Sequence, residues 1–382
     1  MDNVVQGHWD ARFDKVADAL GQAISDGEEV GAAIAIDIDG ETVVDMWGGH
    51  ADVAKTTPWT ADTIVNVWSS TKTVTALAGL MLIDRGLIEP STPVASVWPE
   101  FGANGKEHVE FRHLLSHSSG VSGWDQPVAP EDIFDWNKST AMLAAQAPWW
   151  EPGTASGYHA LTHGHLIGEV LRRITGKSLK QFVAEEIAGP LGADFQIGAK
   201  PEDLPRVSDV ILPADPFEGL PPFDTWPEQM LKTFTGPAPD PAVANTAEWR
   251  AADIGAANGH TNARALAKIL SAISLGGTVD GVQLLRPDTI DRIFEVQCDG
   301  PDLVLAGERI RWGLGFGLPT PETIPYIPDG KICFWGGWGG SWETMNPESR
   351  TTIAYVMNKM GPGIQGTERT ARYLTLSYEA LS

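Results

Sequence analysis

Hydrophobic and polar positions assign most elements of the chain before any chemistry is considered. Residues 30–38 and 42–47 run as two apolar, β-branched segments, and Asp39-Gly40 between them is a strong two-residue hairpin signal. An amphipathic stretch over about residues 9–26 predicts a helix ahead of that hairpin. Toward the other end, residues 331–334, 341–346 and 351–357 read as three more strands, with 347–350 turning the last pair and a closing helix over about 367–381. The middle is mostly helical in period, around 111–116, 131–147, 160–175 and 179–187. Strands at both ends with helices between them predict an α/β (α+β) fold: one antiparallel sheet built from the two termini and flanked by helices, with a mainly helical domain inserted. The boundaries read as 1–88 plus 250–382 for the sheet domain and 89–249 for the insertion, with the active site expected between them.

Ten prolines fall between Pro201 and Pro241. Such density argues against regular helices and central strands there. The same segment carries Phe217, Phe223, Trp226 and Phe234, so a packed loop over a pocket is expected.

One helix is apolar on nearly every side: Val74, Leu77, Leu80, Met81, Leu82 and Ile83 occupy its faces, and Gly86 offers a left-handed stop. It is therefore a buried helix. At its N-terminus Ser69-Ser70-Thr71-Lys72 places a hydroxyl and an amine three residues apart, on one face. A lysine desolvated there drops toward neutrality and can accept a proton, which makes Ser69 a candidate nucleophile beside its own base. Helix N–H groups would also favour an oxyanion at that end. This is the chain's only Ser-x-x-Lys.

Composition narrows the alternatives. With 27 basic and 50 acidic side chains among 382 residues, net charge −23, nucleic acid and anionic membrane are disfavoured as partners. The first ten residues lack the pattern of a secretory signal and no stretch of 18 apolar residues follows, so a cytoplasmic location is expected. Cys298 and Cys333 have no metal-type spacing and read as packing residues.

Two further segments carry chemistry. Glu151-Pro152-Gly153-Thr154-Ala155-Ser156-Gly157-Tyr158 presents Tyr158 between a Gly-rich loop and a helix, and a phenol near two cations can lose its proton well below a pKa of about 10. In Trp335-Gly336-Gly337-Trp338-Gly339-Gly340-Ser341 four glycines allow close backbone approach to a ligand. No Gly-x-Ser-x-Gly elbow occurs.

Taken in order, these segments resemble the serine beta-lactamase and penicillin-binding-protein superfamily, in its class C branch and the related family VIII carboxylesterases. The resemblance runs on through Leu114-Leu115-Ser116-His117-Ser118-Ser119-Gly120, Gly189-Pro190-Leu191-Gly192, Gly259-His260-Thr261-Asn262 and Gly313-Leu314-Gly315-Phe316. It implies Ser69 as the acylated nucleophile, Lys72 as its activator and Tyr158 as base and proton relay. Backbone N–H groups of Ser69 and Trp338 would form the oxyanion hole, and Trp335, Gly336, Gly337 and Trp338 would meet substrate. Two departures bear on substrate. The lactamase pattern has Tyr-x-Asn where this chain has Tyr158-His159-Ala160, and Lys-Thr-Gly where it has Trp335-Gly336-Gly337. Losing the cation and gaining aromatic bulk favours a neutral ester over a carboxylate-bearing lactam.

The expectation is a serine carboxylesterase for small, short-chain esters, with a small molecule as partner, no cofactor, no metal, and an oligomeric state left open. Lactam or D-amino-acid peptide hydrolysis, acyl transfer, or a binding protein with a slow or dead site are the alternatives. Trp124, Trp149, Trp150 and Trp226 fall in segments that could wall the pocket or serve an ordinary core. His159, His163 and His165 are read as surface or helix-packing residues rather than metal ligands. Thr175-Gly176-Lys177-Ser178 fails as a phosphate loop, because Leu171 stands where the first glycine is required.

Overall fold

A computed structural model describes residues 4–215, 218, 220–237 and 240–382; Phe217, expected in the Pro-rich loop, lies outside them. Nine antiparallel strands form the main sheet, in the order Val5–Trp9, Glu41–Gly49, Gly31–Ile38, Thr351–Met357, Trp342–Asn346, Cys333–Gly336, Gly317–Leu318, Arg309–Trp312, Cys298–Pro301. The two ends of the chain meet where Thr351–Met357 pairs with Gly31–Ile38. In the hairpin before that seam Asp39 and Gly40 both take positive φ, 53° and 85°. That is the backbone a two-residue turn needs to match strand twist.

Each face of the sheet buries a different set of helices. Asp14–Asp26 and Glu368–Leu381 pack on one, where the buried Glu29 receives Arg369. On the other, Ala263–Ser274 lies across the central strands and Thr71–Asp84 follows it inward, against Thr162–Thr175. Every residue from Thr71 to Ile83 is buried. Each large apolar side chain enclosed in this way contributes roughly 1.5–3 kcal/mol, so the helix that starts beside Ser69 is anchored along its whole length. A second, four-stranded sheet of Phe195–Ile197, Gly259–Thr261, Ile64–Asn66 and Val207–Ser208 leads the chain into that helix.

Three expectations need correction. The helix expected over 9–26 begins only at Asp14, because Val5–Trp9 is an edge strand paired with Glu41–Gly49. Gly7, at φ 103°, lies so close to the Asp45 carbonyl that a Cβ would stand 2.0 Å from it. Most of that strand faces solvent, so no alternation announces it. The helix expected over 131–147 is split: a 3-10 turn, Pro130–Ile133, ends before Asp135, whose side chain accepts the Lys138 N–H and caps Trp136–Ala145. The Pro-rich segment does hold a regular helix, Glu228–Thr235, in the proline-free interval between Pro227 and Pro237. Strands from Cys298 to Leu318 also escaped the sequence reading; they are short and depend on the neighbouring strands.

Candidate active site

The turn ahead of the buried helix presents Ser69. Trp68 is left-handed, at φ 48°, a costly backbone state for so bulky a residue and one often found at functional sites. Its carbonyl accepts the Thr71 N–H at 2.9 Å and the Thr71 hydroxyl at 2.5 Å, which holds the turn closed. The Ser69 carbonyl accepts the Lys72 N–H at 2.9 Å. The Ser69–Lys72 spacing is thus set by the turn that starts the helix Thr71–Asp84, not by a completed helical face.

Lys72 is 2% exposed, and its Nζ lies 3.1 Å from Ser69 Oγ. It donates to the carbonyls of Ala160 and Ala256, each at 2.8 Å. Burial holds its pKa well below the ordinary lysine range. The Nζ also sits 4.8 Å from the centre of the Tyr158 ring. These two carbonyls have no sequence signature, since any residue carries one.

Tyr158, also 2% exposed, lines the same cavity as Ser69 and accepts the Trp335 Nε1–H at 3.2 Å. Its loop is tied to His117, whose carbonyl takes the Gly157 N–H at 2.9 Å and whose Nδ1 takes the His159 N–H at 3.1 Å. The expectation of a phenol acidified by two cations fails. Burial pushes the Tyr158 pKa up, against the downward pull of Ser69 and Trp335, and His117, whose ring centre lies 5.0 Å from that of Tyr158, is itself held neutral by burial, well below the usual imidazole range, as is His163 stacked on it.

A cavity of about 360 Å³ opens over Ser69 and Tyr158, walled by Trp68, Phe134, Trp249 and Trp338 among others. The Trp68 ring lies 5.5 Å from Trp249 and 5.3 Å from Trp338, edge-on or tilted in both cases. No Lys, Arg or His is found among its described lining residues, and Asp240 is the one carboxylate. Of the glycine-rich segment only Trp338 faces this cavity. Trp335 turns to Tyr158 instead, and Gly337 backs against Val67, where a Cβ would stand 2.2 Å from the carbonyl oxygen. Behind Ser69, the Ser341 hydroxyl ties the two segments together, donating to the Val67 carbonyl at 3.0 Å and meeting Ser70 Oγ at 3.0 Å.

None of the four tryptophans weighed from sequence lines the cavity. Trp124 donates to Ser139, Trp149 to Asp125, Trp150 to Ala155 and Trp226 to Pro221. Of the rings that do line it, Trp338, Tyr158 and Phe234 were singled out in sequence, whereas Trp68 had only the weak signal of preceding Ser69 and Trp249 had none. His159, His163 and His165 are all fully buried, so the surface reading fails for each. His159 bridges Ser119 and Gly157 at 2.6 Å each, and His165 stacks on Trp136. Among the described residues no cluster of His, Cys, Asp or Glu is arranged to hold a metal ion, and no helix is long and apolar enough to cross a membrane.

A family model described as Beta-lactamase matches residues 2–376. The Esterase/beta-lactamase LipL of Mycobacterium tuberculosis is 35% identical over 370 residues, spanning 93% of this chain and 83% of its own. Esterase EstB of Burkholderia gladioli is 33% identical over 199 residues, 48% of this chain and 50% of the relative. Among solved structures, a family VIII carboxylesterase superposes with TM-score 0.91 at 38% identity, covering 98% of this chain and 99% of the other. A penicillin-binding-protein homologue from Caulobacter crescentus gives 0.90 at 37%, with the same coverage.

Proposed function

The chain belongs to the beta-lactamase family, and from that premise we propose that it is a serine carboxylesterase that cleaves small, neutral, short-chain acyl esters through an acyl-Ser69 intermediate. The observation that carries this reading is the environment of Lys72. Its Nζ is surrounded by three oxygens, the carbonyls of Ala160 and Ala256 at 2.8 Å and Ser69 Oγ at 3.1 Å; a neutral amine that gives its two N–H bonds to the carbonyls would turn its lone pair to Ser69 Oγ.

Ser69 Oγ attacks the ester carbonyl as its proton passes to Lys72 Nζ. The backbone N–H groups of Ser69 and Trp338 receive the oxyanion. Tyr158 enters as a phenol, donates its proton to the departing alkoxide and regains one from Lys72. Water then repeats the sequence on the acyl-enzyme, and free acid leaves. No step calls on a metal or organic cofactor.

The name of the Mycobacterium tuberculosis relative pairs esterase with beta-lactamase, and lactam opening would use the same groups. A lining without Lys, Arg or His offers nothing to a lactam carboxylate, which supports esters as the preferred class. Purified protein should hydrolyse 4-nitrophenyl butyrate readily, and an organophosphonate should label Ser69. Ser69→Ala should abolish both. Equal hydrolysis or labelling in wild type and Ser69→Ala would overturn the assignment, whereas faster turnover of a chromogenic cephalosporin than of any short ester would replace esters with lactams.

A further inference from the structure

Asp302 stands at the end of the strand Cys298–Pro301, 144 residues from Tyr158 in sequence, and is fully buried. No part of the chemistry above uses it. A carboxylate taken out of water is costly unless its oxygens are satisfied, and here both are. Oδ1 accepts the Tyr158 N–H at 2.9 Å, the Val304 N–H at 2.9 Å and the Leu305 N–H at 3.1 Å, while Oδ2 accepts the Ser156 hydroxyl at 2.8 Å. The Leu303 N–H returns to the Ser156 carbonyl at 2.9 Å. Burial pushes the Asp302 pKa up and these four donors oppose it.

We propose that Asp302 is the positioning residue for Tyr158: by holding the Tyr158 N–H from one side, while His117 holds those of Gly157 and His159 from the other, it fixes the phenol against Ser69 and Lys72. The inference rests on the role given to Tyr158 above. Three consecutive N–H groups, of Gly157, Tyr158 and His159, are spoken for by two residues distant in sequence. A loop pinned at each successive peptide has little freedom to swing its side chain. This matters because a misplacement of about 1 Å at a reacting group can cost on the order of 100-fold in rate.

Asparagine is close to isosteric with aspartate. Its carbonyl oxygen can take over the Oδ1 bonds, and its amide can donate to a Ser156 hydroxyl turned to accept. Asp302→Asn therefore keeps the clamp, whereas Asp302→Ala removes it. The test is to place each substitution in the wild-type chain and in Tyr158→Phe, and to measure kcat and KM for 4-nitrophenyl butyrate after checking the fold by circular dichroism. Asp302→Ala should lower kcat by about 10- to 100-fold with KM changed less than about 3-fold, and Asp302→Asn should stay within about 3-fold of wild type; on Tyr158→Phe neither should cost more than about 3-fold further, because effects that act through one group do not multiply.

If Asp302→Ala does not fold, Ser156→Ala, which removes a single donor, should lower kcat by about 3- to 10-fold in the wild-type chain and leave Tyr158→Phe unmoved. A loss of equal factor in both backgrounds, no loss from either clamp variant, or a folded Asp302→Asn as slow as Asp302→Ala would overturn the proposal. Full turnover in Tyr158→Phe alone would instead sink the role of Tyr158, and the positioning of it by Asp302 with that role.

Discussion

Lys72 governs how the rate should depend on pH. Burial lowers its pKa, so the amine is neutral over a wider pH range than an exposed lysine would be. The proposed mechanism requires that neutral form. The rate of the free enzyme should therefore fall as pH drops through the lowered Lys72 pKa, giving the acid limb of kcat/KM. Lys72→Arg puts a permanent charge where the neutral amine stood and cannot act as a base, and should slow ester hydrolysis by about 10²- to 10⁴-fold while erasing that limb. An acid limb that survives in Lys72→Arg would belong to another group. Ser69 and Lys72 were legible in sequence because their contact is local. The carbonyls of Ala160 and Ala256 that complete the amine's surroundings were not, since nothing in residue type marks which peptide will turn toward a buried amine.

Between elements, the decisive approach is that of the strand Cys333–Gly336 and its following turn to the turn before the helix Thr71–Asp84. Gly337 makes it possible. A Cβ there would stand 2.2 Å from Val67 O, 2.3 Å from Ser341 Oγ and 3.2 Å from Trp68 Cβ, and the first two contacts lie far inside van der Waals range. Gly337→Ala should push the glycine-rich turn away from Ser69. Expected are an overpacking cost of about 1–3 kcal/mol and a fall in kcat larger than the rise in KM, since the proposed oxyanion donor, the Trp338 N–H, would move with the turn. Thermal unfolding and steady-state kinetics check this; a variant with wild-type kcat would show that the close approach is dispensable. The cluster of glycines announced a close approach in the sequence, but not what approaches: the partner proved to be the backbone before Ser69, while of that segment Trp338 alone turns to the cavity.

Across the whole molecule, buried histidines should shape acid stability. Burial lowers the pKa of His117, His163, His159, His165 and His260, the last three to about 3, 4 and 4. The sign follows from linkage. Below the ordinary histidine value of about 6.5 the unfolded chain takes up protons that the folded chain refuses, so stability falls as pH drops from there toward about 4, by up to about 1.4 kcal/mol per pH unit for each such group. Raised carboxyl pKa values at Glu29, Glu343 and Asp302 work in the opposite direction. A single substitution isolates the histidine contribution. Neither ring nitrogen of His163 has a hydrogen-bond partner among the described residues, so His163→Met strands no polar group. Its melting temperature should fall less between pH 6.5 and 4.5 than that of wild type. Parallel curves for the two proteins would show that His163 contributes nothing to the pH dependence.

Local physics accounts for what the sequence by itself determined. The hairpin at Asp39-Gly40, the all-round apolar helix, the Ser69–Lys72 spacing and the closing strands each depend on residues a few positions apart, where propensity and periodicity act directly. Tertiary structure alone decided the rest. The edge strand Val5–Trp9 exists because Glu41–Gly49 offers it hydrogen bonds, and the cavity wall of Trp68, Trp249 and Trp338 gathers rings from three distant segments. The ionisation of Tyr158 was decided there too. Its neighbours in sequence gave no measure of how completely water would be excluded, and exclusion of water sets the cost of the charged phenol.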